Sequence, residues 1–253
     1  MKTQITIVIT GASSGISAAL TLAYAEEGHF LALCGRNAER LSDIADQCQK
    51  KGARVEIQIL DVTDKTLVAA WLRQINHKAS LDIFIANAGV AGGKDGAGSG
   101  ATATRKILRT NVDGVVNTVL PALELMEPKS TGQVSIVSSL ASFRGFPGTP
   151  DYAASKAAVR VWVEGLRGRY APKGIKISVI CPGFVESRMT ANNPFRMPLM
   201  MTGEKAARII RRGLENNTAR IAFPLRMYFL AWLLGVLPPA LSDRLMPKVA
   251  EKE

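Results

Sequence analysis

Short apolar runs alternate along this chain with longer stretches of helical period. The runs cover residues 5–10, 30–34, 55–60, 83–86, 134–138, 176–180 and, more weakly, 220–223. Most are continuously aliphatic or β-branched and lack every-second-residue alternation, the pattern of strands covered on both faces. Between them, residues 15–28, 37–51, 64–78, 103–127, 152–171 and 204–217 carry apolar positions three and four apart, the period of one helix face. Strand then helix, repeated, predicts an α/β, doubly wound fold: a mostly parallel seven-stranded sheet with helices on both faces. No internal repeat and no linker divides the chain, so residues 1–253 read as one domain. Two irregular stretches interrupt the pattern. Residues 91–100 hold five glycines, and residues 187–203 are rich in Met and Pro.

Composition adds mainly exclusions. A 253-residue chain with 47% hydrophobic and 21% charged residues has ordinary globular make-up, which excludes a disordered tail, a collagen-like chain and a coiled coil. Cys34, Cys48 and Cys181 are too few and scattered for a disulfide framework or a zinc cluster, and read as free thiols in a reducing compartment. With only His29 and His77, a metal site is not expected and a triad hydrolase has little to work with. The net charge of +11 favours anionic partners, but the cations are spread along the chain, so no nucleic-acid partner is expected. The apolar run at residues 5–9 is too short for a signal peptide, and no stretch reaches the roughly 18 to 20 apolar residues that span a bilayer. A cytoplasmic location follows as the expectation.

Four places carry candidate chemistry. The first run ends in Thr10-Gly11-Ala12-Ser13-Ser14-Gly15-Ile16-Ser17 and leads into a helix. Glycines let a backbone turn sharply and approach a pyrophosphate, and a helix N-terminus supplies free N–H groups. The second run ends in Gly35-Arg36 without the acid that holds a ribose 2′-hydroxyl, and a guanidinium there matches a 2′-phosphate. Asp61-Val62 follows the third run, where an acid can bond an adenine amino group, and Asn87-Ala88-Gly89 follows the fourth, where small residues admit a cofactor. Finally, Tyr152 and Lys156 lie four apart on one helix face, 13 positions after Ser139. A cation beside a phenol stabilises the phenolate and lowers its pKa from about 10.

Taken together, the turn at residues 10–17, Asp61-Val62, Asn87-Ala88-Gly89, Asn111, Ser139, Tyr152, Lys156 and Pro182-Gly183 resemble the short-chain dehydrogenase/reductase family over residues 3–223. The resemblance implies a Rossmann fold, an NADP(H) cofactor, a small carbonyl or alcohol substrate and a homodimer or homotetramer. It implies that Tyr152 is the general acid or base, that Ser139 orients the substrate oxygen with Ser138 as the neighbouring candidate, and that Lys156 lowers the tyrosine pKa and holds ribose hydroxyls. Asn111 would anchor a water in a proton relay. The cofactor would lie against Thr10, Gly11, Ser13, Ser14, Gly15, Ile16, Arg36, Asp61, Val62, Asn87, Ala88, Gly89, Pro182, Gly183, Val185 and Ser187, besides Tyr152 and Lys156.

The chain departs from that pattern at Ser17, where the family has the last glycine of its turn. Serine there is either a tolerated small residue or a weakened pyrophosphate site. Residues 187–203 would form a substrate lid with an adaptable apolar wall. Phe143, Phe146 and Phe184 would lie near its mouth, and Arg144, Arg188 and Arg196 are loop cations that could meet an acidic substrate group. The glycine-rich stretch 91–100 reads as a rim. Residues 224–247 form an apolar extension, of which 227–237 is apolar without a break. Three readings of it stay open: a buried helix, a subunit contact, or a peripheral membrane contact through 226–246. The leading function is an NADP(H)-dependent oxidoreductase with an apolar or lipid-like substrate. The alternatives are a sugar or polysaccharide-precursor oxidoreductase and a non-catalytic NADP(H)-sensing protein.

Overall fold

The computed structural model describes residues 4–92, 98–191 and 196–245. Seven strands form one sheet: β1 (Thr6–Thr10), β2 (Phe30–Gly35), β3 (Arg54–Ile59), β4 (Ile83–Ala86), β5 (Gly132–Val137), β6 (Ile175–Pro182) and β7 (Arg220–Phe223). Their order is β3-β2-β1-β4-β5-β6-β7. Every pairing is parallel, so the sheet is wholly rather than mostly parallel. The chain winds outward from β1 to β3, then crosses back to β4 on the other side of β1. That reversal opens a crevice at the carboxyl ends of β1 and β4, where open α/β sheets bind ligands.

Alternation along the strands explains the two layers of helices. Val8, Phe30, Ala32, Cys34 and Phe84 point to one face and join a core with α3 (Lys65–Lys78), α5 (Gly114–Met126) and α6 (Pro150–Tyr170). Ile7, Ile9, Leu31, Leu33 and Ile85 point to the other, against α1 (Gly15–Tyr24), α2 (Ala38–Lys50) and α8 (Gly203–Glu215). Both sets are fully buried in the central strands, which accounts for their continuously apolar sequence. Edge strand β3 is the exception: Ile57 and Ile59 are exposed.

Element ends follow local chemistry. The first helix stops at Tyr24, before the expected residue 28, where Ala25 turns extended with φ −74° and ψ 91°, and Gly28 takes a left-handed φ of 81° in the turn that leads on to β2. α3 begins behind Asp64, whose carboxylate accepts from Thr66 N and Leu67 N. The segment expected over 103–127 is a continuous helical rod, α4 (Gly100–Leu108), a π turn (Arg109–Asp113) and α5. The π turn falls on Asn111, and such bulges recur at functional sites. After α7 (Arg188–Ala191) and α8, the chain adds β7, α9 (Leu225–Val236) and α10 (Pro239–Leu245).

Candidate active site

The glycine turn is built by close approach of two strand ends. Thr10 Oγ1 accepts from Asn87 N at 3.1 Å and from Ala88 N at 3.2 Å, tying β4 to β1. Gly11 has φ 67°, and a Cβ on it would lie 2.8 Å from Ala88 Cα, so only glycine lets these ends meet. Gly15 has φ 61°, and its Cβ would lie 3.0 Å from Ser187 Cβ, which sets Ser187 over the turn. Ser13 approaches the end of β2, with its Oγ 3.5 Å from a Cβ built on Gly35. α1 starts at Gly15 behind an extended Ser14 that makes no side-chain cap bond, and its first turn holds no acid. Its N–H groups are therefore available to an anion. Ile16 packs on the core beneath. These residues fit the pyrophosphate of a dinucleotide.

Ser17 is fully buried. Its hydroxyl donates to Gly11 O at 2.5 Å and reaches Ser14 O at 3.0 Å. The side chain that replaces glycine therefore fastens the turn to itself, the opposite of a loosened site.

At the adenosine end, Arg36 is exposed, and its Nη1 lies 3.7 Å from Asp61 Oδ2. Asp61 also accepts from Thr63 N at 2.9 Å. Partial burial works against the charged carboxylate, but the Thr63 bonds and the Arg36 and Arg109 guanidiniums outweigh it and hold the Asp61 pKa down. Val62 is buried, and a Cβ on Gly114 would press to 2.6 Å from Val62 Cγ2. Val62 O accepts from Asn117 Nδ2 at 3.1 Å, fixing this corner to α5.

The carboxyl end of β5 and the start of α6 bring the candidate catalytic side chains together. Pro150 opens α6 at a position that tolerates proline. Lys156 is 4% exposed, and its Nζ donates to Val137 O at 2.9 Å. Ser138 Oγ donates to Lys156 O at 2.8 Å, so Ser138 is taken up by the backbone of α6. Its neighbour Ser139 accepts from Ala141 N at 3.1 Å and hydrogen-bonds the Tyr152 phenol. Asn111 is fully buried. Its Oδ1 accepts from Val90 N at 2.8 Å, and its Nδ2 donates to Val90 O at 2.9 Å and Ser155 Oγ at 3.0 Å. A Cβ on Gly89 would lie 3.1 Å from Asn111 Oδ1 and 3.3 Å from Lys156 Nζ. Asn111, Ser139, Tyr152, Lys156 and the end of β4 thus border one cleft.

The electrostatics differ from the expected pairing. Lys156 Nζ sits 5.8 Å from the Tyr152 ring centroid and is turned toward Val137 O. Burial raises the Tyr152 pKa, and the Ser139 hydrogen bond only partly opposes it. In this arrangement burial is the larger influence on the phenol and the Ser139 hydrogen bond the smaller one. Burial also falls on the lysine, whose pKa drops to about 8. At neutral pH the site holds a protonated phenol beside an ammonium that readily gives up its proton.

On the far side of the cleft, Pro182 ends β6. Gly183 is pressed between elements, with a Cβ 3.0 Å from Pro224 Cδ and 3.4 Å from Leu140 Cδ1 and Met227 Sδ. Val185 is buried and bridges to Met201. Ser187 N donates to Thr190 Oγ1 at 2.9 Å, and that hydroxyl reaches Val185 O at 2.9 Å. Thr190 and Ser155 are supporting residues that sequence reasoning missed, since neither carries a motif of its own. Arg144 does not stand free for an acidic substrate: it pairs with Asp243 of α10 at 2.6 Å. Arg188 and Arg196 are exposed, and Phe143, Phe146 and Phe184 are half-buried. Phe143 is boxed in by Arg160 at 4.6 Å, Arg220 at 5.3 Å and the edge of Tyr228 at 5.4 Å. The expected lid and rim include residues 192–195 and 93–97, and the extension includes 246 and 247; these lie outside the described residues.

A glycine turn at the switch point of a parallel sheet, with serine, tyrosine and lysine converging on the same edge, is the arrangement of a dinucleotide-dependent oxidoreductase. The family model for short chain dehydrogenases matches residues 5–196. The chain belongs to the short-chain dehydrogenase/reductase family. An uncharacterized oxidoreductase of Myxococcus xanthus is 35% identical over 239 residues, 94% of each chain. A 3beta-hydroxysteroid dehydrogenase of Mediterraneibacter gnavus is 32% identical over 194 residues, 73% of this chain and 67% of that one. The fold superposes on a short-chain dehydrogenase from Sphingobium yanoikuyae in complex with NADPH, with a TM-score of 0.80, 24% identity and 98% of both chains covered.

Two outcomes test this geometry. A lysine pKa lowered from 10.5 to about 8 by burial corresponds to roughly 3 kcal/mol of unfavourable ammonium burial. That cost is present in full below pH 8. Above it the folded state releases the proton while the unfolded state keeps it, so stability rises with pH until about 10.5. Lys156→Met should therefore raise unfolding stability near neutral pH by about 1–3 kcal/mol, an advantage that shrinks in alkaline denaturant titrations. Lower stability of the variant at neutral pH would contradict the burial cost. For Ser17→Gly, loss of the buried hydrogen bond from the Ser17 hydroxyl should lower stability by about 1 kcal/mol and should not tighten NADPH binding measured by calorimetry. A large gain in affinity would show that serine distorts the turn.

Proposed function

We propose that this oxidoreductase is NADP(H)-dependent and moves hydride between nicotinamide and a carbonyl or secondary alcohol of an apolar, lipid-like molecule. The observation carrying this reading is the convergence of Ser139, Tyr152 and Lys156 at the carboxyl edge, with Lys156 anchored on Val137 O. The bound cofactor supplies hydride. The chain supplies the proton: Tyr152, kept protonated by burial, donates from its phenol oxygen to the carbonyl oxygen of the substrate. Ser139 Oγ hydrogen-bonds the same oxygen and orients it. Lys156 holds ribose hydroxyls with its ammonium and passes a proton toward the phenol. Asn111 has its side chain committed to Val90 and Ser155, so its contribution is to hold the end of β4 against Lys156 along a water relay.

Residues 10–16 would hold the pyrophosphate and Asn87, Ala88 and Gly89 the nearby ribose. Asp61 and Val62 would meet the adenine, and Pro182, Gly183, Val185 and Ser187 the nicotinamide side. Arg36 would turn from Asp61 to a 2′-phosphate, a stronger bidentate partner for an exposed guanidinium. The NADPH complex of the Sphingobium yanoikuyae structure supports this choice. An apolar substrate is supported by Met227 against Gly183 and by the steroid relative. Three buried free thiols suit a reducing, cytoplasmic compartment. Exposed Leu108, Leu120 and Val161 on α4, α5 and α6 offer apolar positions for self-association. The sensor reading rested on Ser17, whose hydroxyl instead secures the turn.

Two variants test the assignment. Loss of one charge-assisted contact costs about 1.5–3 kcal/mol, so Arg36→Ala should weaken NADPH by roughly tenfold or more and leave NADH nearly unchanged in fluorescence titrations. Equal loss for both cofactors would refute the 2′-phosphate role. Tyr152→Phe should abolish carbonyl-dependent oxidation of NADPH, followed by absorbance, while NADPH still binds. Substantial residual turnover would assign the acid to another group.

A further inference from the structure

Helix α9 presents a bare apolar face. Its inner positions, Met227, Tyr228 and Ala231, pack on the core shared with α6 and β6. On the outer side Leu225 is 73% exposed and Phe229 62%, and Leu230, Trp232, Leu233 and Val236 are exposed with them. At about 100° per residue these six positions fill an arc of roughly 160° on one side of the helix. Leu241 of α10, the helix that follows, is exposed as well. A contiguous exposed apolar face of this kind marks an interaction site. α9 has 12 residues, and no described helix is long and apolar enough to cross a membrane.

Charge selects the occupant. α9 contains no Asp or Glu, and Arg226 and Arg244 stand exposed at the patch. Asp243, the acid of α10, is already paired with Arg144. A two-fold contact between copies would set this face against itself, bringing cations together with no acid opposite. An anionic lipid surface supplies the missing charge, and an indole such as Trp232 suits the boundary between headgroups and acyl chains.

We propose that the outer face of α9 and α10 docks on an anionic bilayer, with α9 lying in the plane of the interface. The inner side of the same helix touches the cleft: Met227 meets Gly183, and a Cβ on Gly235 would collide with the Phe143 carbonyl. Docking therefore places the turns at Ser139–Phe143 and Pro182-Gly183 directly behind α9, one helix away from the lipid. Loading of a lipid-like carbonyl from the bilayer rests on the reductase reading; vesicle binding does not and is measured without turnover.

The test is flotation of the full chain with vesicles of phosphatidylcholine, alone or mixed with phosphatidylglycerol. Binding to the mixed vesicles should exceed that to neutral ones by at least about tenfold and should fall as salt screens the arginines. Leu225→Glu with Phe229→Glu should reduce binding at least about tenfold and leave the melting midpoint, the oligomeric mass and NADPH affinity unchanged, since both side chains are exposed. A wild type that ignores both kinds of vesicle would overturn the proposal. So would a double variant that still floats but dissociates into smaller species, which would make the face a subunit contact.

Discussion

A buried ammonium bonded to the last carbonyl of a strand is the constraint around which this cleft is organised. Lys156 Nζ donates to Val137 O, and Ser138 Oγ, one residue further on, donates back to Lys156 O. Two hydrogen bonds of opposite sense lock the end of β5 to the second turn of α6. Tyr152, one turn earlier, and Ser139, the residue after that lock, are then left in hydrogen-bond reach of each other. The charge is costly where it lies, because burial disfavours the ammonium. The two hydrogen bonds hold that costly group in a fixed position.

The connection from β4 to β5 puts the remaining parts around that lock. Asn111 sits in a π turn, and its amide closes a two-way contact with the backbone of Val90. Gly89, directly before it, has no side chain to keep Lys156 away. Thr10 and Gly11 draw the same β4 end onto β1. The glycine turn, the β4 end and the α6 pair are therefore mechanically one unit, although they lie far apart in sequence. Sheet order brings them to one edge, and short side chains let them close.

Much of this was legible in the sequence. Continuous apolar runs marked buried parallel strands, and the interval from Ser139 to Tyr152 marked strand end and helix start. What stayed hidden were the directions of side chains. Nothing in the local pattern says that the Ser17 hydroxyl turns back onto Gly11 O, that Ser138 rather than Ser139 is consumed by the backbone, or that Arg144 reaches Asp243 across 99 positions. The surroundings of Tyr152 were hidden for a related reason. Helical spacing places Lys156 on the same face, but it does not reveal that the amine prefers a strand carbonyl or that burial outweighs its field.

The rule that apolar residues go inside and charges outside is broken twice here, and both breaches adjoin the turn from Ser139 to Phe143. On one side lies the buried Lys156. On the other lies α9, whose Tyr228 packs edge-on against Phe143 while Leu225 and Phe229 face outward. Packing alone explains neither. A methionine would fill the space of Lys156 without the cost of a buried charge, and polar residues on the outer side of α9 would leave its inner contacts unchanged. Local violations of a pattern obeyed everywhere else are expected where function competes with folding. The proximity of the two through a single five-residue turn links the chemistry proposed for the cleft with the surface proposed to receive its substrate. The same turn that positions Ser139 also forms the floor on which α9 rests, so a contact made by α9 is made next to the groups proposed to react.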